Sequence, residues 1–220
     1  MIEILCSKFA KLLAVDLWRQ YECMLPVELR KKNASYLKWQ DRHAHLIGKL
    51  LLLRGLKEKG YGKGILEEIE YGSHGRPFLR EADVDFNISH SGQFVICAIG
   101  TGMRIGVDIE EIKPIDFSYF KQVMNVNQWK TINWSDDPAK MFYTYWTIKE
   151  SMIKADSRGL SIPLSSILVK DEKVSYDDCT WHTRALDIDA NYCAHITTDQ
   201  PAYDCLVRKV DFFQPKEVYF

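Results

Sequence analysis

Several familiar signatures are missing from this 220-residue sequence. Its six cysteines include no C-x-x-C pair, and no two histidines stand at zinc-binding spacing, which argues against a zinc ribbon or a disulfide scaffold. No run approaches the roughly 20 apolar residues of a membrane span. Charged residues at positions 3, 8, 11 and 16 interrupt the N-terminal stretch, so it lacks the apolar core of a signal peptide. We therefore expect a cytoplasmic protein with buried free thiols and no membrane contact.

The sequence also has almost no net charge. It contains 29 Lys and Arg against 30 Asp and Glu, for a formal charge of -1. This balance provides no general electrostatic reason for binding nucleic acid. What is present is ordinary for a globular protein, with 46% hydrophobic and 27% charged residues. A chain of this length forms one domain or two small ones.

Two stretches have the periodicity of long helices. Residues 39–59 carry a wide apolar stripe that stops at Gly60. The second helix is predicted to begin with Asp137 as its N-cap and Pro138 at its first position, and to run to about Ser157. Each helix is therefore expected to support one half of the chain.

Short strand-like runs follow each helix. They cover residues 65–71, 86–90, 94–99 and 105–110 after the first helix, and 167–169, 181–186, 192–196 and 206–210 after the second. Residues 1–37 are mixed and lean towards helix. A helix followed by an antiparallel meander, occurring twice, predicts an α+β fold. We expect two similar subdomains, 1–104 and 105–220, related by a pseudo-twofold axis, each with a small antiparallel sheet packed against a long helix.

The stretch I-G-V-D-I-E at 105–110 alternates apolar and polar residues. As a strand it would place Asp108 and Glu110 on the same face. Two neighbouring carboxylates repel each other unless a cation lies between them, and hard oxygen ligands suit Mg²⁺. Taken alone, however, the hexapeptide fits a solvated strand face better.

The second helix contains W-T-I-K-E-S-M-I-K at 146–154. Glu150 and Lys154 share a face, and an exposed salt bridge is the simplest interpretation of the pair. The flanking residues are unusually apolar and aromatic, which predicts a buried helix whose carboxylate needs a partner. Glu150 beside Asp108 and Glu110 would complete a three-carboxylate Mg²⁺ site. Lys149 and Lys154 could then contact phosphate oxygens.

These two stretches, together with G-R-P-F-L at 75–79 and F-N-I-S-H-S-G at 86–92, resemble the 4′-phosphopantetheinyl transferases of the surfactin-synthetase-activating type. The resemblance covers about residues 25–165. It implies a pseudo-dimer of two α+β halves with coenzyme A and Mg²⁺ in the cleft between them. It also implies an enzyme that moves the phosphopantetheine arm of coenzyme A to a serine of an apo acyl or peptidyl carrier protein, releasing 3′,5′-ADP.

The resemblance further implies roles for individual residues. Asp108, Glu110 and Glu150 would hold Mg²⁺, with Glu150 also accepting the serine proton and Lys154 neutralising the phosphate. Gln128 stands where some relatives have a carboxylate, which shifts the role of base towards Glu150 or a water. The residues implied to bind coenzyme A are Arg30, Lys32, His43, Arg76, Ser89, His90, Lys149 and Lys154. Considered singly, His90 fits a hydrogen-bonded core histidine and Arg76 a cation on a surface turn.

Other interpretations stay open at this point. The carboxylates and lysine also fit a metal-dependent nuclease or phosphoesterase, although that class predicts a basic groove. A non-catalytic carrier-binding module is a third possibility. The apolar segment 115–129 could be a carrier-binding patch or simply a cap on the core. Its apolar members are Phe117, Phe120, Val123, Met124 and Trp129. With both halves in one chain, a monomer would suffice.

Overall fold

The computed structural model describes residues 1–214, and these form five α-helices and eleven β-strands. The helices are α1 Val15–Glu22, α2 Val27–Ser35, α3 Trp39–Glu58, α4 Val126–Trp134 and α5 Pro138–Asp156. The strands are β1 Ile2–Lys8, β2 Ile69–Tyr71, β3 Pro77–Leu79, β4 Val84–Ser91, β5 Phe94–Thr101, β6 Ile105–Glu111, β7 Leu168–Lys170, β8 Lys173–Tyr176, β9 Cys179–Ala185, β10 Tyr192–Thr198 and β11 Cys205–Lys209. No helix in this part of the chain has both the length and the apolar character that crossing a membrane requires.

The two predicted long helices are confirmed as α3 and α5. At the start of α5, the Asp137 side chain accepts a hydrogen bond from the backbone N–H of Lys140, and Pro138 lies in the first turn. The helix ends at Ser157, which takes a left-handed conformation with φ 72°. The Arg104 guanidinium donates to the Ser157 hydroxyl at 2.7 Å, so the second helix is tied to the chain just before β6.

The strands form a four-stranded sheet in the order β11-β1-β5-β4 and a five-stranded sheet in the order β6-β10-β9-β8-β7, with β2 and β3 as a separate pair. The helix α3 packs against β5 and β1, whereas α5 packs against β6 and β10. The predicted α+β class, with a long helix on each sheet, is confirmed.

The two large sheets pack face to face through a shared apolar core. Side chains from alternate positions of four strands meet there, namely Ile2, Ile4, Cys6, Ile96, Ala98, Ile105, Val107, Ile109, Ala194 and Ile196. Alternate residues of a strand point to opposite faces, so the helices cover the outer faces. The layers therefore run α3, first sheet, second sheet, α5.

The N-terminal and C-terminal strands depart from the predicted division. The strand β1 lies in a region expected to lean towards helix, and β11 returns from the second half to pair with β1 in parallel. Val210 and Phe212 consequently pack in the core beneath α3. The proposed boundary between 1–104 and 105–220 thus misplaces the last strand, and residues 215–220 lie outside the described part of the chain.

The predicted meander over 65–110 is also only partly correct. The strands β4 and β5 form an antiparallel hairpin, but β6 leaves this sheet and pairs with β10. Residues Lys63–Glu68 form a 3-10 helix, so the strand expected from residue 65 begins only at Ile69. The departure of β6 places it beside β4 without a backbone ladder between them.

Candidate active site

The strands β4 and β6 are joined by side chains instead of a backbone ladder. Every second residue of β4 from 85 to 91 accepts a hydrogen bond from the backbone N–H of the β6 residue twenty positions later. The pairs are Ile105 N to Asp85 Oδ2 (2.7 Å), Val107 N to Asn87 Oδ1 (3.0 Å), Ile109 N to Ser89 Oγ (3.4 Å) and Glu111 N to Ser91 Oγ (3.1 Å). We call this row of contacts the seam. A period-two row of polar residues in D-F-N-I-S-H-S is the sequence signal that would have revealed it.

Asp108 lies in the middle of the seam and is only 4% exposed. Its Oδ1 accepts hydrogen bonds from the Ser89 hydroxyl at 2.8 Å and from the Lys154 ammonium at 2.6 Å. Its Oδ2 is buried and has no hydrogen-bond partner within residues 1–214. A buried carboxylate oxygen without a partner is costly, so this atom is suited to binding a cation.

Lys154 connects the two halves of the molecule at this point. Besides Asp108, its ammonium donates to the Ser89 hydroxyl at 2.9 Å and to the carbonyl of Val107 at 3.2 Å. The exposed pair with Glu150, which the sequence suggested as the simplest interpretation, is therefore replaced by an ion pair with Asp108. The catalytic role that the resemblance implies for Lys154 stays a prediction.

Glu110 and Glu150 gather around the same position. Burial raises the pKa of Glu150, and the charges of Asp108 and Glu110 raise it further, while Lys154 lowers it. Burial and Asp108 likewise raise the pKa of Glu110, although hydrogen bonds from Ser91 and Trp146 lower it. Glu150 is therefore within electrostatic range of both Asp108 and Glu110. We call Asp108, Glu110, Glu150 and Lys154 the carboxylate site.

The carboxylate site has the donor chemistry for Mg²⁺ without a closed set of ligands. Within the described chain, no group of three or more His, Cys, Asp or Glu side chains is arranged so that it could hold a metal ion. The hard oxygens and the unpartnered Oδ2 of Asp108 nevertheless fit the ion, which commonly keeps several waters and needs few protein ligands. The residues present therefore fit Mg²⁺, and the predicted metal role of these carboxylates stays a prediction.

The underside of α5 is held against the second sheet by small and polar groups. A Cβ at Gly106 would lie 1.9 Å from the backbone oxygen of Ser151, so only glycine permits this approach. The Thr147 hydroxyl lies 2.8 Å from Nδ1 of His195, and the Ser151 hydroxyl lies 2.7 Å from that of Thr197. These contacts fix the rotation of α5 and leave Glu150 and Lys154 on the side of the carboxylate site.

A second polar centre lies on α3, in a pocket of about 210 Å³. The Nδ1 of His45 is within 3.1 Å of the Asn33 amide nitrogen, which donates to it, so the neutral ring carries its proton on Nε2. That Nε2 is buried with no partner among the described residues. Lys49 lines the same pocket and is 9% exposed. We call this the cationic pocket, and its polar lining is completed by Tyr36, Asp41 and His90.

Positive charges repel one another in and around the cationic pocket. Burial, together with the neighbouring Lys49, Lys32 and His90, lowers the pKa of His45 to about 4. Burial and the charge of Lys32 lower the pKa of Lys49 in the same way. A bound anion would relieve this repulsion. Lys32 and Arg30 lie on the adjoining α2, and their predicted contact with a phosphate stays a prediction.

His90 lies between the two centres. It lines the cationic pocket, and its pKa is lowered first by burial and then by the Lys154 ammonium, while Asp41 and Asp108 raise it. The ring is solvent-accessible, so the core histidine that its isolated position suggested is not observed. His90 and Ser89 thus stand where one ligand could reach both centres.

Arg76 binds the start of the seam. Its Nη2 donates to Asp85 Oδ2 at 2.5 Å and to the carbonyl of Ile105 at 2.8 Å, and the side chain is 14% exposed. Its Nη1 is buried without a partner in the described chain. Arg76 is therefore a largely buried bridge between the halves and not a cation on a surface turn, and its predicted contact with coenzyme A stays a prediction.

The structure contradicts the predicted role of Lys149. Its ammonium is fully buried and donates to the carbonyls of Val123 (2.8 Å) and Leu164 (2.9 Å) and to Oε1 of Gln128 (2.7 Å). Consecutive helical residues point about 100° apart, so Lys149 cannot share the direction of Glu150. Gln128 is equally structural, because it also forms a capping box with Asn125.

The predicted contact between His43 and coenzyme A is also contradicted. His43 is 4% exposed, its Nε2 accepts from the backbone N–H of Leu13 at 3.0 Å, and its Nδ1 donates to the carbonyl of Trp39 at 2.9 Å. Both ring nitrogens are therefore occupied inside the protein. The ring packs beside Trp18 and Phe9, which makes His43 part of the framework of α3.

The aromatic segment around the start of α4 packs mainly against the core, and its predicted role in carrier binding stays a prediction. Phe117, Phe120 and Trp129 are half-buried in a cluster around Phe142, and Met124 is buried there. The exposed apolar residues of this region are instead Tyr119, Val126 and Trp134. The inner residues therefore cap the core, and we call the three exposed residues the α4 surface.

Two protein-family models match the chain. One is described as the 4′-phosphopantetheinyl transferase superfamily and matches residues 104–205. The other is described as 4′-phosphopantetheinyl transferase, N-terminal, and matches residues 15–101. The two matches lie side by side along the sequence and together include both centres described above.

Among similar proteins, a 4′-phosphopantetheinyl transferase of Bacillus subtilis is 32% identical over 189 residues, covering 80% of this chain and 83% of its own. The 4′-phosphopantetheinyl transferase Sfp of Bacillus subtilis strain 168 is 30% identical with the same coverage. The 4′-phosphopantetheinyl transferase gsp of Aneurinibacillus migulanus is 31% identical, covering 77% of this chain and 71% of its own. These similarities agree with the motifs on β4, β6 and α5.

Proposed function

The chain belongs to the 4′-phosphopantetheinyl transferase family, and from this premise we propose that it transfers the 4′-phosphopantetheine group of coenzyme A to a serine of an apo carrier protein, with Mg²⁺ as cofactor. The proposal rests chiefly on Asp108, whose Oδ1 accepts a hydrogen bond from Lys154 at the junction of the two halves while its buried Oδ2 has no partner within residues 1–214. Family membership favours this reaction over a nuclease or a non-catalytic binding module.

The two polar centres correspond to the two anionic parts of coenzyme A. The pyrophosphate would lie at the carboxylate site with the cation, and the 3′-phosphate would lie in the cationic pocket beside Lys49 and His45. His90, which faces both centres, would lie along the ligand between them. Repulsion within the cationic pocket and the unpartnered Nε2 of His45 support this placement.

The proposed step forms one bond and breaks one. The serine oxygen of the carrier protein attacks the β-phosphorus of coenzyme A, and the anhydride bond breaks with its electron pair leaving on 3′,5′-ADP. Glu150 takes the serine proton, directly or through a water, and its raised pKa suits this role. Lys154 neutralises charge on the phosphoryl group. Mg²⁺, when bound by the carboxylates, would offset the charge of the pyrophosphate and orient it.

The carrier protein is proposed to be an acyl or peptidyl carrier that docks beside the carboxylate site. The α4 surface, with Tyr119, Val126 and Trp134 exposed, lies on the segment between β6 and α5 and is a suitable contact area. Because both centres are built from one chain, we propose a monomer as the working unit. A cytoplasmic location is proposed from the sequence pattern.

One experiment tests the reaction directly. The protein is incubated with coenzyme A, Mg²⁺ and an apo carrier protein, and the carrier is then weighed by mass spectrometry. The expected result is a gain of one phosphopantetheine on the carrier, absent without Mg²⁺ or with the serine of the carrier replaced by alanine. An unchanged carrier mass with several carrier classes would refute the proposal, and cleavage of DNA under the same conditions would favour the nuclease.

A further inference from the structure

Ser91 is absent from the residues that the sequence assigns to the site, yet its hydroxyl makes the same pair of contacts as that of Ser89. Ser89 accepts from the N–H of Ile109 and donates to Asp108 at 2.8 Å. Ser91 accepts from the N–H of Glu111 and donates to Glu110 Oε2 at 2.7 Å. Each serine thus binds a carboxylate of β6 and the backbone N–H that follows it.

This pair of contacts determines where the serine proton points. A hydroxyl group has a single proton, and the backbone N–H occupies a lone pair of its oxygen. The O–H of Ser91 is consequently free to donate only towards Glu110. This hydrogen bond restrains the Glu110 carboxylate. Such restraint narrows the orientations that a carboxylate adopts towards a cation.

The position of Ser91 is itself restrained by the turn that follows it. Gly92 has φ +53°, and a Cβ there would lie 2.4 Å from the Tyr192 hydroxyl and 2.5 Å from Glu111 Oε2. The backbone N–H of Gln93 donates to the same Tyr192 hydroxyl at 3.1 Å. The turn is therefore packed directly against the second sheet, and Ser91 is positioned by both halves.

We propose that Ser91 is a positioning residue that orients Glu110 for a hard divalent cation. This inference rests on the proposed function, since it concerns the cation of the same site. Ser91 does not itself contact substrate, and its effect passes through Glu110. Asn87 provides a matched comparison because it accepts one seam hydrogen bond, from Val107 N, but makes no hydrogen bond to a carboxylate within residues 1–214.

The test measures cation affinity separately from turnover. Binding of Mn²⁺ in the presence of coenzyme A is followed by the electron paramagnetic resonance signal of free Mn²⁺. Because outer partners of metal ligands commonly contribute 10–100-fold to affinity, Ser91→Ala is expected to weaken Mn²⁺ binding about tenfold or more. Ser91→Thr, which keeps the hydroxyl, should restore it. Asn87→Ala should lower the midpoint temperature of thermal unfolding, while its affinity for Mn²⁺ should stay close to that of the wild type.

The possible outcomes separate this inference from the proposed function. If Ser91→Ala binds Mn²⁺ like the wild type, the inference is wrong while carrier modification by the wild type still stands. If Asn87→Ala weakens Mn²⁺ as much as Ser91→Ala, or if Ser91→Thr fails to restore affinity, the seam as a whole and not the hydroxyl is responsible, and the inference fails. A wild type that modifies the carrier but binds no Mn²⁺ also overturns it. A wild type that does neither refutes the proposed function as well.

Discussion

The helices α3 and α5 occupy equivalent layers of the molecule but present opposite charges at the junction of the halves. On α3, Lys49 and His45 line the cationic pocket, where burial and the nearby Lys32 lower the pKa of both. On α5, Glu150 lies near the carboxylates of β6, whose charges raise its pKa. One helix is therefore suited to an anion and the other to a cation. A ligand with two anionic groups would suit both helices if one of the groups were bound directly and the other through a metal.

Each helix also buries a polar residue that plays no part in either centre. His43 on α3 has both ring nitrogens hydrogen-bonded to the main chain, and Lys149 on α5 has three acceptors. By contrast, His45 Nε2 and Asp108 Oδ2 are buried without partners in the described chain. Burial alone does not distinguish framework from function here. What separates these four residues is whether their buried polar atoms have hydrogen-bond partners in the described chain.

The strongest test of this contrast is Glu150→Gln. Loss of a general base commonly costs 10²–10⁴-fold in rate, so turnover of carrier protein is expected to fall by about that factor. Thermal unfolding should occur at or above the wild-type temperature, because one of three mutually repelling carboxylates is removed. Mass spectrometry of the carrier over time gives the rate. Turnover near the wild-type value would exclude Glu150 from the chemistry.

The adjacent change, Lys149→Met, should act on stability and not on turnover. It leaves the carbonyls of Val123 and Leu164 and the side chain of Gln128 without their donor, and buried groups that lose a partner cost about 1–3 kcal/mol each. Urea unfolding measures this loss, and the rate per folded molecule should change little. A large loss of rate with unchanged stability would place Lys149 in the site after all.

Acid should destabilise the folded protein through His195, which contacts Thr147 on the buried side of α5. Burial lowers the pKa of His195 in the folded protein to about 4, from 6.5 in an exposed histidine. Between these values the unfolded chain binds a proton that the folded protein does not. The contribution of His195 to the free energy of unfolding is therefore greatest above pH 6.5. It falls by up to about 3 kcal/mol as the pH decreases to 4. In His195→Gln, the free energy of unfolding measured with urea should change less with pH than in the wild type. The same pH dependence in both proteins would contradict the assignment.

The smallest expected effect concerns the cationic pocket. Lys49→Met should raise the KM for coenzyme A about tenfold, since hydrogen bonds to charged groups contribute about 1.5–3 kcal/mol. The kcat should be nearly unchanged, because Lys49 is remote from the proton acceptor. With 3′-dephospho-coenzyme A as substrate, the variant and wild type should behave alike. An equal increase in KM for both substrates would show that Lys49 does not meet the 3′-phosphate.

Much of the local structure was predictable because its causes are local. The Asp137 cap and Pro138 mark the start of α5, and period-two alternation identifies β6 with Asp108 and Glu110 on one face. The four motifs together were sufficient for the family resemblance that relatives at about 30% identity confirm. Each of these features depends on residues within one or two turns or on a single strand.

The faces of α5 were less predictable. Lys149 and Lys154 look alike within W-T-I-K-E-S-M-I-K, yet one is buried among carbonyls and the other pairs with Asp108. Their directions depend on Gly106 and Thr197, which lie tens of residues away and determine how α5 rests on the sheet. The role of Ser91 was missed for the same reason, since its partners lie twenty positions later.

The amino-acid order alone determined the approximate boundaries of α3 and α5, the alternation of the carboxylates and membership in the family, because capping, periodicity and motif residues act over short distances. The folded arrangement decided that β6 leaves the first sheet, that β11 returns to it and that β4 and β6 meet through side chains. Those outcomes depend on free energies of packing summed over the whole chain. The tertiary contacts also decided which buried polar atoms have partners and which remain available to a ligand.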